Sequence, residues 1–117
     1  MKRDELDSLC RSLTGTSNVI QWGGASVWKV GGKIFAVCAV WGEGADEKIS
    51  FKCSDSSYQI LCELEGVIPA PYLARAKWVQ VLSNASLADE DIQSYIVEAH
   101  SIIAGKLTKK ARTELGL

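Results

Sequence analysis

A chain of 117 residues with 47% apolar and 23% charged side chains has the balance of one ordinary globular domain, which excludes a disordered polar chain. Thirteen basic and fourteen acidic residues leave a formal charge of −1, without the overall basic excess typical of a dedicated nucleic-acid binder. The longest apolar stretch, Ile34 to Trp41, falls well short of the ~20 residues a membrane-spanning helix needs.

The first predicted element is a short amphipathic helix in which Leu6, Leu9, Cys10 and Leu13 form one apolar stripe. Asp4 and Glu5 suit its first turn, and Gly15 supplies a stop. Acids also stand where a signal peptide would place its apolar region, so the expected location is cytoplasmic, with no membrane partner. The four cysteines, Cys10, Cys38, Cys53 and Cys62, have no motif spacing and read as reduced core residues.

The middle of the chain predicts strands at Val19–Trp22, Ser26–Val30 and Lys33–Trp41, the last two joined through Gly31-Gly32 as a tight hairpin. Glu47 to Cys53 alternates, with Ile49, Phe51 and Cys53 on a buried face and Lys48, Ser50 and Lys52 on a wet, basic one. Ser54 caps a second helix through about Leu64, ended by Gly66. Pro69 and Pro71 make Ile68–Tyr72 an irregular connection, and Lys77–Leu82 a last strand.

The remainder reads as helix. Ser86 to Asp89 resembles a capping box, and Ile92, Tyr95, Ile96, Ala99 and Ile103 form the buried stripe. Gly105 closes this helix, and Thr108 caps a short final one through Leu115. The order predicts an α+β fold, helices packed on an antiparallel sheet, in a single domain over residues 1–117.

Several stretches resemble the MmcQ/YjbR family. They are Trp28-Lys29-Val30-Gly31-Gly32-Lys33-Ile34-Phe35-Ala36, Ile49-Ser50-Phe51-Lys52-Cys53, and Gly66-Val67-Ile68-Pro69 with Pro71-Tyr72-Leu73-Ala74-Arg75 and Lys77-Trp78-Val79. A looser match runs from Glu98-Ala99-His100 to Lys106-Leu107-Thr108-Lys109-Lys110. The resemblance implies a compact helix–sheet domain of secretion-chaperone-like or frataxin-like layout, and the DNA-binding role usually attached to the family. Many relatives resemble Pro-Gly-Tyr-His before the last strand, with a His-Trp pair within it. Here Pro71-Tyr72-Leu73 and Lys77-Trp78 stand there instead, so any role of those histidines is absent or altered.

Catalytic chemistry finds little support. His100 is the only histidine and sits on the margin of a helical stripe, where a structural role is the first expectation. Cys53 stands where a strand meets a helix N-terminus, a place that can lower a thiol pKa. No Cys-x-x-Cys, phosphate loop or convincing carboxylate pair occurs, so no catalytic residue, metal ligand or cofactor is expected.

Two features suggest partners. Lys29, Lys48, Lys52, Arg75 and Lys77 could share a basic sheet face, with Lys109 and Lys110 in the tail, able to contact DNA phosphates weakly and without sequence preference. Trp22, Tyr72 and Trp78 could instead line a groove for a protein partner or a second copy. The basic face is the first reading, and a non-catalytic interaction or chaperone-like module the alternative.

Overall fold

The structure, a computed structural model, describes residues 1–117. Its helices are α1 (Arg3–Ser12), α2 (Asp55–Cys62), α3 (Asp89–Ala104) and α4 (Lys109–Leu115). Its strands are β1 (Thr16–Gln21), β2 (Ala25–Val30), β3 (Lys33–Ala39), β4 (Lys48–Lys52), β5 (Val67–Pro69) and β6 (Trp78–Val81). They form one six-stranded antiparallel sheet in the order β1-β2-β3-β4-β6-β5, so the α+β architecture expected from the sequence is the one observed. No helix is long and apolar enough to cross a membrane.

Local chemistry places most boundaries. Gly31 and Gly32 take φ of +57° and +79°, the positive pair that a two-residue hairpin between β2 and β3 requires. Ser54 accepts a hydrogen bond from Ser57 N at 3.1 Å, and Thr108 from Ala111 N at 3.1 Å, which satisfies free amides at the starts of α2 and α4.

One face of the sheet carries the main core. Rows such as Trp28–Ala36–Phe51–Val79 and Cys38–Ile49–Val81–Val67 pack beneath the helices, with Leu6 and Cys10 from α1 and Ile92, Ile96 and Ile103 from α3. A half-buried polar joint fixes α1. Asp7 Oδ1 accepts from Trp28 Nε1 and from Ser26 Oγ, each at 2.8 Å, and the Arg11 guanidinium lies 5.4 Å from the Trp28 ring centre.

The opposite face departs from the reading of the sequence. Lys48 and Lys52 do alternate away from Ile49 and Phe51, but neither is wet: they are 5% and 9% exposed. A second apolar cluster of Ala25, Val27, Val37, Ala39, Ala70 and Trp78 occupies that face. The segment 70–77 and the backbone after β3 fold over it. Lys52 Nζ donates to Ala76 O, and Lys48 Nζ donates to Asp46 O at 3.1 Å. Alternation assigns a side chain to a face; it does not say what covers that face.

Other differences are local. β1 begins at Thr16 because Thr16, Ser17 and Asn18 pair with Val30, Lys29 and Trp28, and Trp22 falls beyond its end. β3 stops at Ala39, and Gln80 Nε2 donates to Trp41 O at 2.9 Å, holding the turned-back chain over the sheet. Val67–Pro69, read as irregular, is an edge strand on β6; its proline sits at the strand's last position, where a missing amide is tolerated. Ser86 caps nothing: Ala88 is the residue before α3, without a side-chain cap, while the Met1 amino group lies 2.6 Å from Asp89 Oδ1.

Candidate functional site

The residues suspected of catalysis lie in the core. His100 is buried, its Nε2 pairs with Thr14 O at 2.8 Å, and its ring meets Phe35 edge-on at 5.4 Å. Cys53 is 2% exposed, and burial pushes its thiol up to about 12, the opposite of helix-terminus activation. Cys10 and Cys38 are likewise pushed up to about 12 by burial. No group of His, Cys, Asp or Glu side chains converges in a way that could hold a metal ion. Cys62 alone among the four thiols is not fully buried. A thiol-specific reagent at pH 8 should therefore modify the native chain at Cys62 while Cys53 stays unmodified until denaturant is added, read by mass spectrometry.

The suspected basic face is divided by the structure. Lys52 lies beneath segment 70–77 and Lys48 is buried against Asp46 of the β3–β4 loop, and Lys52 is further held below the usual lysine pKa by burial and by the neighbouring Lys106. Lys77 is half-buried with φ +61°, its Nζ 5.0 Å from the Tyr58 ring centre. Lys29 is half-buried, whereas Arg75, Lys109 and Lys110 are exposed.

Topology nevertheless brings basic residues together at one end of the molecule. The β2–β3 hairpin turn, the last residue of β4 and the first of β6 lie at the same end of the sheet, since Lys29 is opposite Ile34 and Lys52 opposite Trp78. Leu107 packs against Gly31, which carries Lys106 and the start of α4 there as well. Gly15, beside Leu115, holds the other end of α4 at that same pole. Apart from Lys2, Arg3 and Lys48, the basic residues lie toward this end, where the only carboxylates among them are Asp55, Glu98 and Glu114. The opposite end holds Glu43, Asp46 and Glu47 between β3 and β4, Glu63 and Glu65 before β5, and Asp89, Glu90 and Asp91 at the start of α3. The nearly balanced total charge conceals two poles.

The aromatic group also differs from expectation. Trp22 and Tyr72 come together through Trp41, which stands in the groove in place of Trp78: ring centres are 5.6 Å apart for Trp22–Trp41 and 5.8 Å for Trp41–Tyr72. With Ile34 and Leu73 they line a groove of about 540 Å³ with almost wholly apolar walls. Trp78 does not reach it; at 4% exposure it belongs to the cluster below. Trp22 and Tyr72 are 53% and 86% exposed and hold φ of +53° and +71°, a left-handed conformation that is costly for bulky side chains.

A family model described as YjbR matches residues 11–102. The chain belongs to the YjbR family. In solved structures this YjbR domain is similar to protein DR2400 of Deinococcus radiodurans, described with a DUF419 domain. The TM-score is 0.83 at 22% identity, over 97% of this chain and 87% of that one. It is also similar to a protein from Pseudomonas syringae, with a TM-score of 0.71 at 20% identity, over 88% of this chain and 99% of that one. These likenesses concern the fold. No curated protein matches the chain.

Proposed function

We propose that this YjbR domain is a non-catalytic module that binds the phosphate backbone of DNA weakly and without sequence preference, through its basic pole. The observation that carries this reading is the segregation of charge. Arg75, Lys109 and Lys110 stand exposed at one end, with Lys33 and Lys106 beside them, while most carboxylates are gathered at the other. Such a field attracts a polyanion to one end and orients it there. The contact surface is thus the end of the sheet with α4, not the sheet face.

Lys48 and Lys52 are poor probes of this idea, because reversing a buried charge disrupts the fold itself. The test is fluorescence anisotropy of labelled duplex DNA with the intact chain and with a triple variant R75E/K109E/K110E. Saturable binding that weakens steeply with salt is expected. The triple variant should lose at least about tenfold in affinity and flatten the salt dependence by roughly one logarithmic unit for each phosphate it no longer neutralises. An intact chain that binds no DNA at low salt sinks the proposal.

The aromatic groove favours a second reading, a protein-interaction module that accepts an apolar segment between Trp22, Trp41 and Tyr72. Left-handed backbone under two exposed rings is the kind of strain that persists where a ring must be presented. On this reading, native tryptophan fluorescence should respond to an apolar peptide, and Y72G should lose that response while gaining about 1 kcal/mol of stability from relieved strain.

A further inference from the structure

The two edges of the sheet are protected unequally. At one edge, β5 is three residues long and ends in Pro69, a short strand with a missing donor that discourages further pairing. At the other, β1 runs for six residues as Thr-Ser-Asn-Val-Ile-Gln, with no charge and no proline. Its register with β2 is unbroken from Thr16–Val30 to Gln21–Ala25; the irregularity in this part of the sheet lies one strand further in, at Trp28–Lys29. No backbone hydrogen bond reaches β1 from any element other than β2. Alternate amides and carbonyls therefore point outward unpaired, and Ile20 in this edge is 56% exposed. The usual devices that keep an edge strand solitary are missing from it.

Polarity decides what such an edge would accept. β1 starts at the basic end, opposite Val30 and beside the glycine turn, and finishes at the acidic end, opposite Ala25. There Arg3 bonds to Gly24 O at 2.8 Å and to Glu47 at 2.7 Å. Antiparallel pairing with the same strand of a second copy sets the basic end of each molecule beside the acidic end of the other. Parallel pairing would place like ends together. A two-fold axis perpendicular to the sheet also keeps the faces matched. Asn18 and Ile20 stay on the helix side, while Ser17, Val19 and Gln21 stay on the other.

We infer that β1 is a homodimerisation edge, pairing antiparallel with β1 of a second copy so that the two sheets become one. Main-chain hydrogen bonds hold the strands, Ile20 is drawn into the seam, and the opposed poles fix the orientation. The interface is small, so association belongs in the micromolar range and weakens with salt. This inference does not depend on DNA binding.

Sedimentation velocity of the full chain across micromolar concentrations, at low and high salt, tests it. The expected result is a monomer–dimer equilibrium that salt weakens. I20K, which sets a charge into the seam without touching the core, should weaken association at least about tenfold while the melting temperature holds. Deuterium uptake by Thr16–Gln21 should slow as concentration rises, and I20K should abolish that slowing. A chain that stays monomeric at low salt overturns the proposal. So does a dimer that salt strengthens, or one in which I20K associates as tightly as the parent and the β1 amides exchange at an unchanged rate.

Discussion

Replacing Gly66 by alanine is expected to destabilise the fold by about 3 kcal/mol or more, whereas the same change at Gly32 costs about 1 kcal/mol. Both glycines have nearly the same φ, +80° and +79°, so both substitutions incur a left-handed penalty. They differ in space. A Cβ on Gly32 meets nothing within 4 Å, but one on Gly66 would lie 2.4 Å from Ala85 Cα and 2.5 Å from Ala85 N. Those are main-chain atoms, and they cannot swing aside as a side chain would. They are also tied down, since Leu82 N donates to Gly66 O at 2.7 Å and Ser86 N to Glu65 O at 3.4 Å. The difference between the two variants isolates this close approach from the strain they share. Thermal or urea unfolding should put their melting temperatures at least about 10 °C apart. Equal losses would mean that the turn before β5 stands clear of the chain at Asn84–Ala85.

The second large effect is alkaline unfolding. Burial raises the thiols of Cys10, Cys38 and Cys53 from an ordinary 9.0 to about 12. A group raised in the folded state contributes stability that is complete below its unfolded pKa and is lost as pH climbs toward its folded one. The window is therefore pH 9.0 to about 12, where the unfolded chain ionises its thiols and the folded chain does not. After allowance for solvent screening, the trio should cost on the order of 5 kcal/mol by the upper part of that window, comparable with the whole stability of a small domain. Lys52 works in the other direction: its pKa is lowered by burial, so its contribution improves as pH rises. One partly screened lysine is outweighed by three thiols. Unfolding followed against pH should show about three protons released in this window, and C53A should reduce that slope by about one proton. A melting temperature that stays level from pH 9 to 11 would contradict the buried-thiol account.

Both effects depend on features that the sequence reveals unevenly. The glycine pair of the hairpin and the caps at Ser54 and Thr108 were legible because each is a local rule, satisfied within a few residues. The helical stripes and the main core followed from periodicity for the same reason. The fate of Lys52 was not legible, since it depends on segment 70–77, distant in sequence, folding across its face, and that of Lys48 depends on how the β3–β4 loop turns back onto the sheet. β5 was hidden behind Pro69, whose usual meaning is irregular chain. The place of Trp41 at the centre of the groove is not legible, because it reads as the end of a strand, and only the early stop at Ala39 frees it. Of the DNA-contact candidates, Arg75, Lys109 and Lys110 remain exposed, but what joins them is the common end of the sheet rather than its face.

The division of charge along the strand direction has a practical consequence at the bench. A protein with a formal charge of −1 is ordinarily expected to pass through an ion exchanger near neutral pH. This one offers a cationic cap to one resin and an anionic cap to the other, so both should retain it in dilute buffer and release it at modest ionic strength. Its isoelectric point describes when the caps cancel, and says nothing of which one a charged surface will meet first.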